Sequence, residues 1–242
     1  RWKVLGITSI GLFMASLDLF IVNIAFPDLS RSFDDASLSS LTSVLNGYAI
    51  VFAALLVPAG RIADRVGRKR VFVTGLLLFS AASALCAVSP SIPFLVGARV
   101  LQAAGAAMMI PTTLGLLLPA FPPEQRPVAI GIWSAVSGIA AALGPPIGGL
   151  LVQLSWHWIF LVNVPIGLAT AVAAVRVLDE VREPEDGRPD LLGAAMLALG
   201  IGLLTLGIVK GPDWGWSDSR DLASFAAALA LIVAFVVRSA HH

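Results

Sequence analysis

Gly60-Arg61-Ile62-Ala63-Asp64-Arg65-Val66-Gly67-Arg68-Lys69-Arg70-Val71 is a dense block of charge set between two long apolar runs. Charged side chains make up only 13% of the chain, against 57% hydrophobic residues. Hydrocarbon excludes such a cluster, so the block reads as a short turn outside the membrane that joins two spans. Its basic excess marks a cytoplasmic face. Asp64 and the spaced glycines Gly60 and Gly67, set among Arg65, Arg68 and Lys69, go beyond what an anchoring patch needs.

Composition excludes the soluble classes. With a mean hydropathy of +0.89 over 242 residues, the chain reads as an all-α polytopic membrane protein. A net charge of +1, with basic residues confined to loop-like stretches, gives no basis for nucleic-acid binding. The single cysteine, Cys86, lies in an apolar run and excludes a disulfide framework or thiolate metal site. No nucleophile constellation, metal cluster or phosphate loop supports an enzyme or a cofactor. His241 and His242 read as a tag remnant, assigned to residues 239–242.

Eight spans are expected, at residues 4–26, 41–59, 71–88, 93–118, 128–154, 158–175, 191–209 and 222–237. Pro27 should stop the first. Ser37, Ser39 or Ser40 can cap the second, and Pro93 suits the first turn of the fourth. Pro145 and Pro146 should bend or interrupt the fifth. Residues 177–190 form the longest polar stretch, read as a cytoplasmic linker between a six-span unit at 1–176 and two extra spans within 191–238, with Asp190 as a cap. Arg1, Lys3, Arg61, Arg65, Arg68, Lys69, Arg70, Arg126, Arg176, Arg182, Arg188 and Arg238 fall on one side, and only Arg31, Lys210 and Arg220 on the other. This asymmetry predicts that both termini are cytoplasmic.

Two ionisable residues are expected inside spans, Asp18 and Arg99. Asp18 lies roughly 13 Å from the outer end of the first span and Arg99 roughly 9 Å from that of the fourth, so their depths nearly match. Small or polar residues flank both, which predicts that they face a shared cavity as a pair. A carboxylate that alternates between an arginine partner and solvent binds a proton differently in the two states, as proton coupling requires. Asn23, Asn46, Tyr48, Gln102, Met109 and Thr113 are the candidate cavity lining. On the fifth span, residues 140, 144 and 148 stack on one small face that lets another helix approach closely.

These stretches resemble motifs of the major facilitator superfamily, and of its fourteen-span drug:proton antiporter branch in particular. The charged block is similar at every defining position to the loop between spans two and three. Gly131, Ala140, Gly144-Pro145 and Gly148-Gly149 resemble the antiporter motif, with Ala140 in place of Gly. Leu17-Asp18 through Pro27 looks like the first-span motif, and Arg99-Val-Leu-Gln102-Ala-Ala-Gly105 like the fourth-span motif, in which the arginine is assigned to proton transfer and Ala103 replaces a usual Gly. Trp156 to Gly167 also fits, with His157 where Arg is usual, as does the turn Trp214-Gly215-Trp216-Ser217.

The resemblance implies a six-span amino-terminal bundle, two linker spans and a second six-span bundle, with the substrate site between the bundles. In the family the Asp64 loop packs on the second bundle and holds the inner gate, which makes Gly60, Asp64, Arg65, Gly67, Arg68 and Lys69 the implied gating loop, and the Gly-Pro face of span five packs on that bundle too; the second bundle is missing here. The implied activity is proton-coupled multidrug efflux from the plasma membrane by alternating access, with protonation of Asp18 coupled to export of amphiphilic or cationic compounds. Alternatives are a non-transporting half-transporter that oligomerises or regulates, and a lipid or metabolite exporter of the same fold. A chain with one bundle would expose its cavity face to the lipid bilayer, so a homodimer partner is expected in place of the second bundle.

Overall fold

The computed structural model describes residues 1–33, 37–182 and 191–239. Residues 183–190 of the expected linker, with Arg188 and the Asp190 cap, lie outside the described residues, as do 240–242 of the expected tag remnant. Eight helical stretches among the described residues are long and apolar enough to cross a membrane. The described residues form ten α-helices, of which all but α2 contribute to these stretches: α1 Trp2–Ile24, α2 Phe26–Ser32, α3 Leu38–Val66, α4 Arg68–Ala87, α5 Ile92–Leu117, α6 Arg126–Leu154, α7 Trp158–Leu161, α8 Asn163–Val177, α9 Leu191–Trp214 and α10 Ser219–Ser239. The spans supplied by α1, α3, α4, α5, α6 and α7–α8 form the six-span bundle, and α9 and α10 pair as a hairpin against α3.

Local sequence explains the starts of α3 and α5. The Ser37 hydroxyl accepts the Ser40 N–H at 3.2 Å and caps α3, and Ser91 caps α5 through the Phe94 N–H at 3.4 Å. Pro93 sits in the first turn of α5, where its missing donor costs nothing.

Several expected boundaries move. The first span's helix stops slightly earlier than expected, at Ile24, and Pro27 occupies the first turn of α2 after a break at Ala25. α3 runs on to Val66, so Gly60, Asp64 and Arg65 lie on its last turns, and the expected loop shrinks to Gly67. The helix continues because its hydrogen bonds are local and satisfied equally well outside hydrocarbon. α6 runs unbroken from Arg126 to Leu154, with Pro145 and Pro146 inside it, so the expected interruption is absent. The sixth span instead divides, at Val162, into α7 and α8.

Packing follows small residues. α4 and α5 touch backbone to backbone: a Cβ on Gly105 would stand 2.7 Å from Phe79 N, and one on Gly75 would stand 2.9 Å from Gly105 O. Ala140, Gly144 and Gly148 are buried against α1, where added Cβ atoms would meet Phe20 at 2.7 Å and Ile21 at 3.0 Å. This small-residue face of span five is therefore closed within the chain. It does not await a second bundle or face lipid, as the sequence led us to expect. Gly131, Pro145 and Gly149 lie off that face, with open space around Gly131 and Gly149.

Candidate functional site

The centre of the bundle holds a polar network in an apolar surround. Asp18 on α1 is 0% exposed and Arg99 on α5 is 1% exposed, so both have left water entirely. Arg99 Nη1 donates to Asp18 Oδ2 at 2.5 Å and to Gln102 Oε1 at 2.7 Å. Gln102 Nε2 in turn donates to Asp18 Oδ1 at 2.9 Å and to Ser83 Oγ of α4 at 2.7 Å. The Cys86 thiol donates to Gln102 Oε1 at 3.7 Å. The Arg99 guanidinium stacks over the Tyr48 ring of α3, 4.1 Å from its centroid. Arg99 Nε and the Tyr48 hydroxyl have no hydrogen-bond partner among the described residues.

The expected pairing of Asp18 with Arg99 is thus present, with both side chains enclosed by the bundle. The pair faces the bundle interior, because its neighbours Gly11 and Ala15 admit α4 and α5 side chains. The six candidate lining residues scatter. Tyr48, Gln102, Met109 and Thr113 are buried, Asn46 is half-buried, and Asn23 is exposed, where its side-chain amide donates to Leu19 O at 2.9 Å. Met109 fills space beside Gly11 and Gly75. The Thr113 hydroxyl donates to Ile110 O at 2.7 Å and accepts from Trp133 Nε1 at 3.1 Å. Asp18 is not the only buried acid: Asp221, in the first turn of α10, is 0% exposed. Its place in the helical first turn made it read as a loop residue.

Ser83 and Cys86 were not expected in this network. They stand three residues apart on α4 and face Gln102 together. The only sequence signal was a run of small polar residues, Ser80, Ser83 and Cys86, at helical spacing.

A second cluster gathers at the charged end of the bundle. Gly67 adopts φ +124°, which a side chain rarely tolerates, and so turns α3 directly into α4. Arg68 Nε donates to Asp64 Oδ1 at 2.7 Å, and its Nη1 donates to Gly115 O of α5 at 3.0 Å. The Arg68 backbone N–H donates to Val181 O at 2.9 Å, and the Lys69 N–H to Glu180 Oε1 at 3.0 Å. Arg65 is half-buried on the last turn of α3. A cleft of about 500 Å³ opens beside this cluster, lined by Gly60, Asp64, Arg68, Pro111 and Arg126 among others. Asp64 and Arg68 thus form an ion pair across the turn, from the last turns of α3 to the first of α4. The roles of Glu180, Val181 and Gly115 had no sequence signal beyond an acid placed opposite a basic block.

Among the described residues no cluster of His, Cys, Asp or Glu could hold a metal.

A family model described as Major Facilitator Superfamily matches residues 8–240. The chain is 39% identical over 238 residues to the methylenomycin A resistance protein of Bacillus subtilis (strain 168), covering 98% of this chain and 51% of that protein. It is also 39% identical over 239 residues to the tetracenomycin C resistance and export protein of Streptomyces glaucescens, covering 98% and 44%. The chain thus spans about half the length of the curated relatives it matches. Among solved structures, a peptide transporter POT in complex with sulfate superposes with a TM-score of 0.70 at 17% identity, covering 97% of this chain and 51% of that one. A bacterial homolog to the human lysosomal transporter Spinster, inward-facing and occupied, gives 0.66 at 19%, covering 97% and 59%. At such identities these likenesses speak for the fold alone, and they are to transporters rather than enzymes. With eight helical stretches able to cross a bilayer, a six-span bundle and a family match over nearly its whole length, this chain is a multi-pass membrane protein that belongs to the Major Facilitator Superfamily.

Proposed function

We propose that this chain serves as the amino-terminal part of a proton-coupled drug exporter of the plasma membrane, with both termini cytoplasmic and with protons exchanged for amphiphilic or cationic compounds. The observation that carries the reading is the Asp18–Arg99 pair, an acid and a base fully buried between α1 and α5. Separating the pair by a shift of α1 against α5 opens Asp18 to a proton, and re-forming it expels that proton. Gln102 contacts both partners and supplies a hydrogen bond to the carboxylate in the paired state. The Gly67 turn and the Asp64–Arg68 bond act as the inner gate. The resistance and export proteins named above support drug export. The substrate site itself is assigned to the space between this bundle and a second one, or a second copy of the chain.

A structural reading of the pair has its own support, since every oxygen of Asp18 is satisfied inside the bundle. Transport by the complete protein in everted vesicles separates the two. Asp18→Asn keeps an acceptor for Arg99 but cannot carry a proton. Under the coupling reading it abolishes proton-driven accumulation while energy-independent exchange of the same compound continues. Under the structural reading both activities fall together, in proportion to the protein lost from the membrane.

A further inference from the structure

A groove of about 650 Å³ opens where the charged end of α4 meets the C-terminal end of α8. Lys69 and Arg70 on the first turn of α4 and Arg182 beyond α8 form its rim, and Val73, Thr74 and Val175 line its inner part. Among the described residues, Glu180 is the one carboxylate that lines it. It is already engaged by the Lys69 N–H at 3.0 Å and by Arg70 Nε at 3.6 Å. Neither Lys69 Nζ nor the Arg182 guanidinium has an ion-pair partner among the described residues. Three cations therefore surround one acid that is held in place.

The groove does not end at the rim. Leu77 on α4 continues the line from Arg70 and Thr74 at helical spacing, and Val175, Val172 and Leu168 continue it down α8; all four apolar side chains are exposed. A cationic rim leads into an apolar lane on the membrane-facing surface.

We propose that this groove binds an anionic phospholipid, its headgroup phosphate held by Lys69, Arg70 and Arg182 and one acyl chain lying along the exposed faces of α4 and α8. Basic pockets between spans at a membrane surface take such headgroups, and each nearby Lys or Arg strengthens the attraction. A free phosphate would meet the rim but leave the apolar lane bare, so the occupant is a lipid. The site lies on the outer side of α4 and α8, and its occupancy is independent of whether Asp18 couples protons.

The test uses the purified, delipidated chain in detergent, titrated with dioleoyl phosphatidylglycerol, dioleoyl phosphatidylcholine or inorganic phosphate, with bound molecules counted by native mass spectrometry. Phosphatidylglycerol is retained in preference to phosphatidylcholine, and inorganic phosphate does not displace it. Arg182→Gln weakens phosphatidylglycerol binding about fivefold, the worth of one cation near an anionic headgroup. Val175→Trp, which fills the groove without touching charge, weakens it as well, while Arg220→Gln, an exposed cation elsewhere, changes nothing. Equal retention of the two lipids, displacement by inorganic phosphate, or equal behaviour of Arg182→Gln and Arg220→Gln would overturn the proposal. Thermal unfolding of each variant confirms that the chain remains folded.

Discussion

Gln102 donates through Nε2 to Asp18 Oδ1 at 2.9 Å while its Oε1 accepts from Arg99 at 2.7 Å, so a single amide fixes both members of the buried ion pair. Arg99 and Gln102 lie three apart on α5, on one face. Gln102→Leu removes that clamp and strips both Asp18 Oδ1 and Ser83 of a partner. Leaving buried polar groups unpaired costs about 1 to 3 kcal/mol, so the variant should melt measurably lower in detergent than the parent chain. An unchanged melting point would show that the amide is replaceable.

Removing one charge of the pair should cost more than removing both. Arg99→Met leaves a buried carboxylate with no cation and is expected to lose about 3 to 5 kcal/mol. Adding Asp18→Asn to Arg99→Met should recover a large part of the loss. A double-mutant cycle on thermal stability measures the coupling, and strictly additive losses would mean that the two charges do not interact.

Gly67 carries two separate constraints. Its φ of +124° strains any side chain, and a Cβ there would stand 2.5 Å from the Glu180 carboxyl carbon. Gly67→Ala should therefore lose about 1 to 3 kcal/mol. Glu180→Ala in the same chain should relieve the clash but not the strain, restoring only part of the stability. Full restoration would assign the whole effect to Glu180.

On α6 the glycines are not equivalent. Gly144→Val drives a branched side chain into Phe20 of α1 and should destabilise by about 1 to 3 kcal/mol. Gly149→Val enters open space and should leave the melting point near that of the parent. If both variants melt alike, α1 and α6 do not pack as described.

The orientation can be read directly. In a Cys86→Ala background, Ser37→Cys should react with an impermeant maleimide in intact cells, and Asp179→Cys only after permeabilisation. Both parent residues are exposed, whereas Cys86 is buried. The opposite labelling pattern would invert the topology drawn from the Lys and Arg asymmetry.

The spans could be read from sequence because a bilayer imposes one length and one polarity on every crossing segment, and charges as scarce as Asp18 and Arg99 had to be paired. Helix ends were less legible. Hydropathy registers where Arg61 and Arg65 leave the hydrocarbon, but the backbone of α3 continues for as long as its own hydrogen bonds close. Orientation about the helix axis was hidden as well. The spacing of Gly144 and Gly148 announces a close contact without naming the helix that makes it, and here that helix is α1. The buried face of Asp18 could not be told from a cavity face, because small and polar residues serve both. Glu180 and Val181 meet Arg68 and Lys69 across more than a hundred residues, and no local pattern records such a distance.

Arg68 reaches Asp64 on α3 and Gly115 on α5, belongs itself to α4, and gives its backbone N–H to the strand of chain that leaves α8. Four helix ends are thereby tied through one residue, next to a turn only one residue long. Moving any one of these ends relative to the others stretches a contact that Arg68 makes, so the position of a single residue records the relative placement of four helices.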